Sequence, residues 1–358
     1  MKSNRLAKIL KSMEDSNLKQ IIVSDPASIF YLTGKWIHPG ERMLALYINS
    51  KGNNKLFVNR LFPINEDLGV EIVSFDDTDN CIKILSDSLM KDEPVGIDKN
   101  WPSRFLIRLM ELNGAASYVN SSLIVDRVRM IKDNEEIEFM RNASRLNDMA
   151  MEKLKMAALS GHSEKDLAQV LLSIYKEVGA DGFSFEPIIA YGANAANPHH
   201  SNGDKIPSAG DSIILDIGCV KNSYCSDMTR TVFYKSASER FKEIFNIVLE
   251  ANKRAIEMIK PGVRFCDIDF AARNYIDSKG YGEYFTHRTG HSIGIEVHDF
   301  GDVSSVNTDT VQPGMIFSIE PGIYLPGAVG VRIEDLVLVT ESGCEVLNKA
   351  DKDFIIIG

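Results

Sequence analysis

The sequence contains no apolar run approaching the roughly 20 residues that a membrane-spanning helix needs. It also has no basic block. Forty Lys and Arg face 50 Asp and Glu, for a net charge of −10. That balance excludes nucleic acid and anionic membranes as expected partners. Cysteine is sparse. Cys81, Cys219, Cys225, Cys266 and Cys344 are scattered, odd in number and without a CxxC pair. They read as reduced thiols in a cytoplasmic protein, with no disulfide framework. The opening stretch, MKSNRLAKILKSMEDSN, has amphipathic helical spacing and lacks the apolar centre of a signal peptide, so no cleaved leader is expected. GxSxG, Walker, HExxH and GxGxxG motifs are missing too, which removes the readings attached to them.

What is present is ordinary globular composition, 44 % hydrophobic and 25 % charged, over 358 residues, a length that suits two domains. The charge is uneven. Residues 1–125 carry 15 basic and 15 acidic side chains, and residues 126–358 carry 25 against 35. The first stretch alternates helical patterns (4–16, 80–90, 102–113) with strand patterns (19–25, 43–50, 55–59, 71–75, 94–98, 116–120). That predicts a small α/β domain with a mixed sheet. Asp133 then opens a long helical pattern ending at Gly161, and Ser163-Glu164 starts another. Strands dominate from 185 onward, interrupted by helices near 237–259 and 265–279. The expected division is an α/β domain over 1–125 and an α+β domain over 126–358.

The chemistry concentrates in the second part. In DSIILDIGCVKNSYCSDMTRTVFY, a turn centred on Lys221-Asn222 would set Asp216 directly opposite Asp227. Two carboxylates that close repel unless a cation lies between them. In MIFSIEPGIYLPGAVGVRIEDLVLVT, a return at Pro326-Gly327-Ala328 would bring Glu320 to Glu334. Five of the seven histidines form two clusters, His199 with His200, and His287, His291 and His298. Imidazole and carboxylate together suit Mn, Co, Fe or Zn. Two such metals side by side could activate a water and polarise a carbonyl.

These residues resemble the pita-bread metallopeptidases, among them Xaa-Pro dipeptidase (prolidase), aminopeptidase P and methionine aminopeptidase. The resemblance rests on LDIG (Asp216), CSDMTRT (Asp227), TGHSIG (His291), SIEPG (Glu320) and RIED (Glu334), in that order. It implies a creatinase-like N-terminal α/β domain before a pita-bread catalytic domain. It also implies a site for two divalent metal ions, manganese first and Co, Zn or Fe as alternatives, held by those five residues. His199, His298 and Glu320 would be the catalytic groups, and Arg332 a substrate-binding residue of the proline-specific branch. Ser292 and Asp299 depart from the common pattern, where glycine and glutamate are usual. YLTGKWIHPGERMLAL (31–46) resembles the part of the N-terminal domain that reaches a partner's active site in dimers. Trp36, His38, Glu41 and Arg42 are thus candidates for contacting substrate ends, with packing or surface use as the competing reading, and a homodimer is implied. The expected activity is hydrolysis of proline-containing di- or oligopeptides, with Xaa-Pro dipeptidase the leading reading. Aminopeptidase P, another small-molecule hydrolase, and a non-catalytic binding protein of the same fold remain the alternatives.

Overall fold

The computed structural model describes residues 1–358, which divide into two compact units, Met1–Arg129 and Met130–Gly358. In the first unit, α1 (Ser3–Asp15) leads into β1 (Gln20–Val23), α2 (Pro26–Thr33), β2 (Ala45–Asn49), β3 (Lys55–Asn59) and β4 (Glu71–Phe75). Then come α3 (Cys81–Ser86), β5 (Val95–Ile97), α4 (Ser103–Glu111), β6 (Tyr118–Asn120) and α5 (Ser122–Met130), whose last residue opens the second unit. The strands form one mixed sheet in the order β4-β3-β2-β1-β5-β6. Its central strands β1 and β2 are buried throughout, including the polar ends Gln20 and Asn49. The expected hairpin of β2 and β3 is present. Helix α2 is an addition to the sequence reading. Its PASIFYLT run has no polar face, yet Asp25 accepts from the Ser28 amide and Pro26 occupies the first turn, both helix-start signals.

The second unit begins with α6 (Asn134–Ala158) and α7 (Glu164–Val178). Asp133 and Glu136 close a reciprocal capping box on α6, and Ser163 caps α7. Strands β7 (Gly182–Phe183), β8 (Ile188–Tyr191), β9 (Ser212–Ile217), β10 (Cys219–Lys221), β11 (Tyr224–Cys225) and β12 (Met228–Tyr234) follow. Helices α8 (Glu239–Glu257) and α9 (Phe265–Ser278) precede β13 (Gly290–His291), β14 (Asp302–Val303), β15 (Ile316–Ile319) and β16 (Gly322–Leu325). The chain ends with β17 (Val329–Arg332), β18 (Asp335–Val339), β19 (Cys344–Val346) and β20 (Ile356–Ile357). The central sheet runs β20-β12-β9-β8.

β12 is covered on both faces. Met228, Val232 and Tyr234 pack with Leu154, Leu171 and Tyr175 of α6 and α7. Phe233 packs on the other side with Ile244 and Val248 of α8. The polar residues of β12, Thr229, Arg230 and Thr231, are buried with the rest of the strand.

The two predicted hairpins fare differently. β15 pairs with β18 (Ile319 opposite Asp335) and β16 with β17 (Gly322 opposite Arg332). Both ladders share one register, interrupted at Glu320-Pro321 and Ile333-Glu334. Glu320 therefore stands across from Glu334 at the gap, as expected. The Asp216–Asp227 pairing is corrected. Asp216 lies opposite Thr229, and Lys221 opposite Tyr224. The turn sits one residue later than read, at Asn222 and Ser223, whose φ values of 52° and 68° make the two-residue left-handed turn that suits a hairpin. One step in the turn centre moves the register by two residues, which preserves the face. Asp227 becomes a diagonal neighbour of Asp216 just before β12 begins.

Candidate metal centre

Interruptions in strands position the carboxylates. Between β9 and β10, Gly218 lies so close to Ser226 that a Cβ there would sit 2.3 Å from its carbonyl oxygen. The Cys219 amide donates to Ser226 Oγ at 2.9 Å and the Ser226 amide to the Cys219 carbonyl at 2.8 Å, locking the kink that presents Asp227. Glu320 is set by its amide donating to the Thr289 carbonyl at 2.8 Å, and Glu334 by its amide donating to the Thr229 carbonyl at 3.1 Å. His291 arrives because β13 crosses β15 closely: a Cβ on Gly290 would lie 1.8 Å from the Ser318 carbonyl oxygen. Ser318 Oγ accepts from the His291 amide and donates to Glu320 Oε1, each at 3.0 Å.

The result is a tight acidic group. Ligating atoms of Asp227, His291 and Glu334 all lie within 4.8 Å of one another. His291 Nε2 stands 3.6 Å from Asp227 Oδ2 and 3.5 Å from Glu320 Oε1. Asp216 Oδ2 is paired with Arg332 Nη2. Arg332 also donates from Nε to Thr229 Oγ1 at 3.1 Å, and Thr229 in turn donates to Glu334 Oε2 at 2.7 Å. Its Nη1 donates to the Tyr324 hydroxyl at 2.9 Å and the Pro198 carbonyl at 3.4 Å.

Four carboxylates thus face two guanidinium groups, Arg332 in direct contact and Arg288 on the wall of the adjoining cavity. Burial, then the charges of Glu334, Asp216 and Glu320, holds the Asp227 carboxyl well above its ordinary range. Burial, then Glu320 and Asp216, does the same to Glu334. Burial pushes Glu320 up to about 7. Burial and then the neighbouring His298 push His291 down to about 3, which keeps a ring nitrogen free to ligate. Asp216 Oδ1 and Asp227 Oδ1 are buried without a hydrogen-bond partner. Orphaned carboxylate oxygens of this kind are costly unless a cation supplies the missing contact. The donor set therefore fits divalent metal.

The group opens on a cavity of about 720 Å³. His199 and His298 line it with the five acidic-group residues and Arg332. The His298 ring meets the His291 ring edge-on at 4.2 Å. Tyr324 and Thr229 were not singled out from the sequence, and His287 only as a member of a histidine cluster. His287 lines the cavity, and its Nε2 lies 2.8 Å from the Tyr324 hydroxyl. Tyr324 faces Gly330 across β16 and β17, and so shares a face with Arg332; an aromatic opposite glycine was the available signal. His38 belongs to the first unit, where its ring stacks on Trp36 at 5.5 Å and Trp36 stacks on Phe30 at 4.8 Å. Arg42 there pairs with Asp77 at 2.8 Å.

A two-domain chain with this enclosed carboxylate–histidine group has the make-up of a metal-dependent hydrolase. Comparison with known proteins makes the class specific. Residues 138–341 match metallopeptidase family M24, and residues 5–131 match the Creatinase/Prolidase N-terminal domain. The chain belongs to the M24 metallopeptidases, a divalent-metal-dependent family, with the creatinase-type domain ahead of a pita-bread catalytic domain. It is 35 % identical over 356 residues to an uncharacterized peptidase of Staphylococcus aureus, covering 97 % of this chain and 99 % of that one. A dipeptidase from Pyrococcus horikoshii superposes with a TM-score of 0.92 at 34 % identity, covering 99 % of this chain and 100 % of that one. A prolidase from Thermococcus sibiricus gives 0.92 at 34 % identity, covering 100 % and 99 %. The chain is accordingly a peptidase. No helix is long and apolar enough to cross a membrane.

Proposed function

We propose that the protein hydrolyses Xaa-Pro dipeptides, with two divalent ions, manganese first among them, held by Asp216, Asp227, His291, Glu320 and Glu334. The observation that carries this reading is the buried, undercompensated carboxylate group opening on a cavity walled by His199 and His298. Two divalent cations would cover the negative charge that Arg332 and Arg288 leave unbalanced. Bound there, they would supply a Lewis acid for the scissile carbonyl and a water of lowered pKa. The protein's own groups do the rest. Glu320, in contact with Ser318 and beside His291, takes the proton released as the water attacks and passes it to the proline nitrogen. That nitrogen carries no hydrogen in the substrate, so the site needs no acceptor for it. His298 and His199 donate hydrogen bonds to the substrate backbone and to the oxygen that gains charge. Arg332 spends four of its five N–H groups on Thr229, Tyr324, Pro198 and Asp216, and offers the remaining one to substrate. His38 would contact a substrate end within a homodimer.

The test is a substrate-length series on protein stripped by chelation and reloaded with Mn or Co. Ala-Pro and Gly-Pro should be cleaved well and Arg-Pro-Pro poorly. The reverse preference would move the assignment to aminopeptidase P. Failure to cleave any proline peptide, with metal demonstrably bound, would overturn proline specificity.

A further inference from the structure

The His199 ring makes no hydrogen bond to the protein, so its place on the cavity wall is set by the backbone that carries it. That backbone is a loop leaving β8 at Tyr191 and returning to the start of α7 at Gly203. Both ends are gathered by one carboxylate. Glu164, fully buried at the first position of α7, accepts through Oε1 from the Tyr191 amide at 3.0 Å and from Asn194 Nδ2 at 2.8 Å. Its Oε2 accepts from the Gly203 amide at 2.9 Å and contacts His200 Nε2 at 2.7 Å. Two backbone bonds reinforce the closure, from the Glu164 amide to the Lys205 carbonyl at 3.0 Å and from the Lys165 amide to the Gly203 carbonyl at 3.1 Å. The other side of the loop rests on β17, where a Cβ on Gly330 would lie 1.7 Å from the Ala195 carbonyl oxygen.

A buried carboxylate is retained only where donors replace its lost water. Here three donors are two main-chain amides and an asparagine amide, and His200 Nε2 becomes the fourth when it carries the ring proton. An apolar side chain would fill the same volume and orphan them all. From this geometry we infer that Glu164 is a positioning residue: it fixes the loop that aims His199 at the substrate. The inference rests on the reading of His199 as a substrate-contacting residue.

Glu164→Gln is the sharpest probe. It keeps the size of the side chain but turns an NH2 group towards donors on one side. With metal loaded, kcat should fall about 10- to 100-fold, the range seen when a group orienting a functional side chain is lost, while bound metal and Tm stay near wild type. His199→Ala is measured alongside, with the double variant. In the His199→Ala background, Glu164→Gln should cost nothing further. Wild-type kcat in Glu164→Gln, an additive double variant, or loss of bound metal would each overturn the positioning role. Wild-type kcat in His199→Ala would instead overturn the reading of His199 itself. Glu164→Ala removes all four contacts and should show the same non-additivity; where it fails to fold, Glu164→Gln still decides.

Discussion

Glu334 and Asp335 are consecutive, both nearly inaccessible, and electrostatically opposite. Asp335 points to a side where Arg230 Nη2 lies 2.8 Å away and Lys352 Nζ is also in contact. Burial pushes its carboxyl up, but those two cations more than offset burial and hold it below its ordinary value. Glu334 points the other way, into the acidic group, and is held well above its ordinary value. Alternation along an extended chain separates the two environments by one residue. One cluster is neutralised by the protein's own cations. The other is complete only with cations from outside, which is how a structural charge cluster differs from a metal centre.

The comparison breaks first at Arg230. Its guanidinium serves Asp335 and also the carbonyl oxygens of Glu334 at 2.6 Å and Ala350 at 2.8 Å. Arg230→Met should leave these acceptors buried and undersupplied, at a cost of about 3–5 kcal/mol. In a metal-loaded melt that corresponds to a fall in Tm of about 10 °C. A shift of only a degree or two would show that the self-neutralised cluster contributes little.

On the acidic side the sign should invert. Asp227→Asn removes a proposed ligand, so activity should fall about 100- to 1000-fold, about 3–4 kcal/mol of transition-state stabilisation. Metal content by atomic emission should fall with it. Yet the metal-free variant should melt above the metal-free wild type, because one member of a mutually repelling buried set has been neutralised. A metal-free variant less stable than wild type would mean that Asp227 has a structural partner after all.

How much of this was legible depends on range along the chain. Glu320 and Glu334 could be paired because both flanking ladders keep one register through a short loop. Asp216 and Asp227 were brought to one face but misaligned, because nothing in KNSY marks Asn222-Ser223 over Lys221-Asn222 as the left-handed pair. Helix α2 was missed because a run apolar on all sides has no period, although Asp25-Pro26 carried the start signal. His291 joins the group through contacts made far along the chain, Gly290 passing over Ser318. No local pattern encodes that approach, and only resemblance supplied it. Likewise Glu164 looked like a helix start, and its grip on the His199 loop depends on residues up to 39 positions away.

The smallest expected effect is a slope in the stability of the metal-free enzyme. Glu320 is pushed from an ordinary 4.5 to about 7. Between those values the folded state keeps a proton that the unfolded state has released, so folded stability declines as pH rises through the window. The Glu320 part of the decline flattens above about 7, and Asp227 and Glu334, also held well above their ordinary range, add to the same slope. The Glu320 contribution alone, from 4.5 to about 7 at 1.36 kcal/mol per pH unit, is worth at most about 3–4 kcal/mol. Metal-free protein should therefore lose several degrees of Tm between pH 5 and pH 7.5. Saturating Mn should reverse the slope, since a cation stabilises the carboxylate that burial disfavours and competes better as protons leave. Asp335 supplies the internal contrast. Its lowered carboxyl stays ionised across this window and adds no slope, so acid weakens that cluster only below the ordinary carboxylate range. A metal-free melt that is flat from pH 5 to pH 7.5 would contradict the view that the acidic group is charge-deficient without its ions.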